Sequence, residues 1–131
     1  MKEMVYTKER SKFEVLDEGY ENNVKYIIIS LGTHPVAYLG IPLTHPLANK
    51  DYDNIPLSVH GGLTFGREGD GEYLPKDYFW YGWDYAHCDD YVGYYGNESE
   101  GKRWTTREIK NEVWLASYDF KKLIDLVEGI K

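Results

Sequence analysis

The chain predicts an α+β fold, with a mainly antiparallel sheet and a C-terminal amphipathic helix packed on one face, and three observations carry that expectation. Short β-branched and aromatic runs fill residues 24 to 83, broken by Gly and Pro, as strands require. Two of them, "VKYIIISLG" and "VAYLGI", lie a turn apart and read as an antiparallel hairpin across residues 24 to 41. Near the end, Ile109, Val113, Ala116, Phe120, Leu123 and Val127 recur at three- and four-residue steps, one stripe of a helix. Strands followed by a terminal helix give an α+β arrangement.

Taken in order, the first ten residues are mixed and charged and are expected to be flexible, and "KFEVLDE" reads as a short strand. "VKYIIISLG" is apolar throughout, so its strand is expected to be buried on both faces. Pro42 ends the second strand, and residues 42 to 56, with three prolines, two asparagines and two aspartates, read as an ordered loop. "LSVHGGLTF" reads as a strand interrupted at Gly61-Gly62, where a bulge or the close approach of another group is expected. "GREGDGEYLPKD" reads as a polar loop, "YFWYGW" as a buried strand, and "YVGYYGNESEGK" as a mobile connection. Thr105-Thr106-Arg107-Glu108 matches a capping box, so the helix is expected from there to about Glu128, with a break near Ser117-Tyr118-Asp119.

At 131 residues the chain fits a single domain spanning residues 1–131. Its formal charge of −7 repels a phosphate backbone and no Lys/Arg run offsets it, which argues against duplex nucleic acid as a partner. Thirteen Tyr and four Trp suit both a small core and a pocket for a flat ligand. Cys88 is the lone cysteine, which excludes an intrachain disulfide and a cysteine-based zinc site. No segment approaches the roughly 20 apolar residues of a membrane span, and the N-terminus lacks a signal-peptide core. The expectation is a cytoplasmic protein with no membrane partner. Homo-oligomerisation stays open.

The chemistry concentrates in "FWYGWDYAHCDD". Asp84, His87 and Asp90 are three apart and can converge on a helical turn or a loop. Imidazole with carboxylates serves a divalent metal, with His60, Asp84, His87 and Asp90 as candidate ligands, or serves acid–base catalysis, with His60, Asp84 and His87 as candidates. The same residues would also make an Asx turn with a half-buried histidine. His60 precedes Gly61 and Gly62, whose backbone N–H groups could face an anion while His60 and Thr64 supply side-chain bonds. Glu112 flanks the helix stripe and, if drawn inward, wants a partner. Lys102, Arg103, Arg107 and Lys110 crowd the helix N-terminus, an arrangement that suits a bound anion or balances the acidic run Asp84, Asp89, Asp90, Glu98 and Glu100. "HGGLT" lacks the histidine-x-threonine spacing of two-histidine phosphoesterases, and "GREGDG" is not followed by the Lys-Ser/Thr of a P-loop.

Taken together, "AYLGIP", "HPLANKDYD", "VHGGLTF" and "WYGWDYAHCDD" resemble the core of a family of short uncharacterised bacteriophage and prophage proteins. That family shows a His-Pro loop, a His-Gly-Gly-Leu-Thr strand and a Phe-Asp-x-Ala-His-x-x-Asp turn in this order. The resemblance covers about residues 36 to 116 and places His45, His60, Gly61, Gly62, Thr64, Asp84, His87 and Asp90 on matching positions, with Glu112 in a similar helix. Trp83 replaces the usual Phe, and Cys88-Asp89 replaces a small residue and Gly. The resemblance implies one shared polar site and a phage-like origin, and supplies no reaction.

The leading expectation is a phage-type accessory protein whose pocket binds a small anionic, nucleotide-like ligand through His60, Gly61, Gly62, Thr64, Asp84, His87, Asp90, Arg103, Arg107 and Glu112. The alternatives are a metal-dependent hydrolase built on the same histidines and aspartates, and an acidic protein–protein inhibitor.

Overall fold

Asn22 and Asn23 set the first hairpin. Both have positive φ, 52° and 62°, the backbone that a two-residue turn needs between twisted strands and that asparagine tolerates best after glycine. The turn joins β1 (Glu14–Glu21) to β2 (Val24–Ser30), with Glu21 opposite Val24. In this computed structural model, which describes residues 1–11, 13–93 and 101–129, β2 continues into β3 (Pro35–Pro42), as the hairpin expectation holds. The sheet is completed by β4 (Phe65–Glu68) and β5 (Tyr78–Asp84). Its order is β1-β2-β3-β5-β4, every neighbouring pair is antiparallel, and one long helix, α1 (Thr106–Gly129), closes one face.

Alternation along the strands divides the core in two. Tyr26, Ile28, Ala37, Leu39, Phe79, Tyr81 and Trp83 point to α1 and meet Ile109, Val113, Ala116 and Phe120. Burying each of the large side chains contributes roughly 1.5–3 kcal/mol before chain entropy is counted. Ile27, Ile29, Val36, Tyr38 and Trp80 fill the opposite face under Leu74. Gly40 faces Trp80 across the strands, and a Cβ there would stand 2.6 Å from the indole. Tyr38 lies in the same way over Gly82, so two glycines give two large rings room to lie flat on the sheet.

Three local expectations are corrected. Residues 57 to 63 are not a strand, because Val59 to Gly62 close a turn in which the Gly62 N–H donates to Val59 O at 2.9 Å. Gly61, with φ 69°, occupies its third position, where type II turns require positive φ. The polar loop expected over residues 66 to 77 begins later, since Gly66, Arg67 and Glu68 belong to β4. Asp70 organises the remainder, its Oδ1 accepting the N–H groups of Glu72, Tyr73 and Leu74 at 2.9, 2.9 and 3.1 Å. Finally, α1 runs through Ser117 without a break. That hydroxyl is buried but donates to Trp114 O at 2.9 Å and accepts from Asn22 Nδ2 at 3.0 Å, so its polarity is satisfied inside the helix.

The first residues are stitched to the rest of the chain. The N–H groups of Lys2, Thr7 and Ser11 donate to Leu16, Gly32 and Leu31, while Tyr6 and Thr106 hydroxyls tie this segment to Trp104 and α1. The mobile connection expected over residues 91 to 102 lies largely outside the described residues, as do Glu98 and Glu100. No described helix is long and apolar enough to cross a membrane.

Candidate functional site

The chain turns sharply after β5 because Asp84 and Asp90 cap the turn from both sides. Asp84 Oδ1 accepts the Ala86 N–H at 3.1 Å, Asp90 Oδ2 accepts the His87 N–H at 2.9 Å, and the Asp90 N–H returns to His87 O at 2.9 Å. The approach to α1 then pairs with this turn, Lys102 N–H donating to Asp89 O and Tyr91 N–H to Lys102 O. That pairing brings Trp104 over the turn. Its indole Nε1 donates to Asp90 Oδ1 at 2.8 Å.

His60, carried by the Val59–Gly62 turn, completes the cluster. Its Nε2 lies 2.7 Å from Asp90 Oδ2, and its ring stacks on Tyr85 at 4.7 Å with 7° between planes. The Asp90 side chain is only 3 % exposed. Burial alone would push its carboxyl up, but the hydrogen bonds from His87 N–H, His60 and Trp104 together hold it below the usual aspartate range. An ionised carboxylate at Nε2 assigns the neutral-ring proton to that nitrogen, so Nδ1 is the atom His60 has left to offer a ligand.

A second carboxylate sits beneath the first pair. Glu112, inward on α1, accepts Trp83 Nε1 at 3.0 Å and the Tyr85 hydroxyl on Oε1, and the His60 N–H at 3.2 Å on Oε2. Burial first, then the bond and charge of Glu112, push the Tyr85 phenol far above its ordinary range, so Tyr85 remains a donor. Glu112 thereby finds the partners that a stripe-edge carboxylate needs, and they are aromatic donors, not a histidine ring.

His87 faces His60 edge to face at 5.6 Å, yet it is differently placed. Its Nε2 is 3.3 Å from Asp84 Oδ1 but has no hydrogen bond of proper direction, so the contact is purely one of charge when the ring is protonated. Gly61 lies against that nitrogen. A Cβ at Gly61 would stand 2.1 Å from it. The group expected near the glycine backbone is thus the protein's own imidazole. Gly62 has open space beside it, and its N–H already serves the turn. Thr64 donates to Asp84 Oδ2 at 3.2 Å on the exposed side.

The structure therefore brings His60, Gly61, Thr64, Asp84, His87, Asp90 and Glu112 together, and leaves the basic residues at the margin. Lys102 binds Glu108 at 2.7 Å and covers the Trp104 ring, Lys110 binds Asp17 and Glu21, and Arg103 lies over the Tyr91 ring at 4.3 Å. Arg107 is exposed on the first turn of α1. Glu108 closes the capping box, accepting the Thr105 N–H at 3.0 Å while its own N–H donates to Thr105 Oγ1 at 3.2 Å. The helix N-terminus thus carries its own carboxylate.

Among the described residues, no group of three or more His, Cys, Asp and Glu side chains is arranged to hold a metal ion. The four candidate ligands pair off instead, His60 with Asp90 and His87 with Asp84. Sequence reasoning missed Trp83, Tyr85 and Trp104. Their signal was present, since buried Trp and Tyr need partners for their polar tips, and Trp83 in β5 and Tyr85 just past its end fall on one face by period two. No protein-family model matches this sequence, and no curated protein or solved structure shows significant similarity to it.

Proposed function

We propose that the protein binds a small anionic, nucleotide-like ligand at the His60 end of the sheet, as a phage-type accessory protein. The observation that carries this reading is the 2.7 Å contact between His60 Nε2 and a buried Asp90 whose carboxyl is held below its usual range. A buried carboxylate anchored at one ring nitrogen fixes the orientation of the imidazole, so that Nδ1 is the ring atom presented to a ligand. Asp84, partly exposed and bonded to Thr64, repels a bare anion but accepts hydroxyl donors. A ligand with hydroxyls at one end and a phosphate at the other satisfies both, which favours nucleotides and sugar phosphates over inorganic phosphate. The metal-hydrolase alternative draws less support, because the His and Asp donors pair with each other.

A thermal-shift screen of nucleotides, cyclic dinucleotides and sugar phosphates, set against inorganic phosphate, tests the reading. Stabilisation by a member of the first three classes, lost in His60→Ala, is expected. A binder that ignores His60, or stabilisation by Zn²⁺ or Mn²⁺ that vanishes in His87→Ala, would replace it.

A further inference from the structure

At the opposite end of the sheet, where Pro42 faces Tyr78 and the C-terminal turns of α1 cross above, a cavity of about 300 Å³ opens. This is the lower end of the size range for small-molecule sites. Its floor is apolar, formed by Gly40, Ile41 and Ile124, and its polar groups are mainly donors. Lys25 extends along it with its ammonium 4.9 Å from the Tyr20 ring centre and 5.7 Å from that of Tyr78. Those two phenols bond each other at 3.0 Å.

His45 also lines the cavity. Its Nδ1 accepts the Leu47 N–H at 3.0 Å, which places the ring proton on Nε2. That Nε2 is buried and has no acceptor among the described residues. A buried donor without an acceptor is costly unless something supplies one. Lys121 also lines the cavity and is held by Asp125 at 2.5 Å, while Glu128 adds a carboxylate to the lining.

We infer that this cavity is a second binding site, for a small organic carboxylate with an apolar body, recognised by the Lys25 ammonium. In a chain of net charge −7, the Lys25 ammonium beside an apolar floor is a local cationic group, Lys121 being paired with Asp125. The apolar floor and the tyrosine rings accept the ligand body, and Glu128 disfavours a multiply charged anion. The site lies away from His60 and stands independently of the function proposed for that end.

Amide chemical-shift mapping with benzoate and its neutral isostere benzamide tests the inference on the whole chain. Benzoate should shift the amides of Lys25, Gly40 and Ile124 saturably, and benzamide should bind at least tenfold more weakly. Lys25→Met, which keeps most of the partly exposed stem, should weaken benzoate at least fivefold without altering the rest of the spectrum. Absence of saturable shifts, shifts centred on His60 and Thr64, equal binding of benzamide, or an unaltered affinity in Lys25→Met would each overturn it.

Discussion

His60 and His45 sit at opposite ends of one sheet and show two ways of burying an imidazole. At the His60 end, carboxylates meet nearly every donor, the His87 Nε2 excepted. Asp90 receives a backbone N–H, an imidazole and an indole, and Glu112 receives an indole, a phenol and a backbone N–H. At the His45 end, one ring nitrogen is satisfied by the chain and the other is not. The difference teaches that a histidine becomes part of the scaffold only where the fold supplies an acceptor, since satisfied networks rigidify and unsatisfied groups invite a partner. The acceptors at the first end come from a loop turn and from α1, so that end depends on tertiary contacts throughout.

The sharpest way to break that end is to remove Glu112. Glu112→Leu strands the Tyr85 and His60 donors and leaves Trp83 Nε1 only the Tyr85 hydroxyl, and should cost about 3 kcal/mol in urea unfolding, whereas Glu112→Gln, which keeps an acceptor, should cost about half as much. Equal costs for the two would show that packing, not the acceptor, matters. Next comes a paired test on the turn. Gly61→Ala meets both positive φ and the His87 ring and should cost about 2–3 kcal/mol, while Gly62→Ala meets only positive φ and should cost about 1 kcal/mol. If the two alanines cost the same, the Gly61–His87 contact contributes nothing.

Acid titration sharpens the comparison further. The Asp90 carboxyl lies below its unfolded value of about 3.9, so between the two values the unfolded chain holds a proton that the folded one does not. Its contribution is complete above that unfolded value and is lost as pH falls through the folded one. Asp90→Asn should lower stability by about 1–2 kcal/mol at pH 7 and flatten the acid limb of the stability profile below pH 4. An unchanged acid limb would mean that other carboxylates, such as Asp17 beside Lys110 and Tyr26, dominate it. The smallest effect belongs to the basic margin. Removing Arg103 and Arg107 together should change stability by less than about 0.5 kcal/mol. It should also weaken any phosphate-bearing ligand at His60, and an affinity that ignores both arginines would confine recognition to the histidine end.

Much of the architecture is legible in the residues themselves. The apolar runs of β2 and β5, the Thr105–Glu108 capping box and the helix stripe are local patterns whose hydrogen bonds and faces follow from chain geometry at short range. Even the Asn22-Asn23 turn is local, although the residues around it read less clearly than "VKYIIISLG". The misreadings have two causes. Residues 57 to 63 have strand-like composition but form a turn, Gly66 to Glu68 look like loop but pair with β5, and Ser117 looks like a break but bonds within and beyond the helix. The first follows from the local Gly62–Val59 turn, and in the other two a partner distant in sequence outweighed local preference.

The candidate site divides in the same way. The sequence by itself determined which groups were available: His60 beside two glycines, carboxylates at Asp84 and Asp90, a histidine at His87 and a carboxylate at the edge of the helix stripe. Only the tertiary structure decided the pairing, because an imidazole proton goes to the nearest well-directed acceptor, and that acceptor is thirty residues away for His60. It gave Asp90 to His60, turned Glu112 to Trp83 and Tyr85, covered His87 Nε2 with Gly61 and left His45 Nε2 without an acceptor among the described residues. Distances of 3 Å between residues remote in the chain are set by packing, and no spacing within a single segment encodes them.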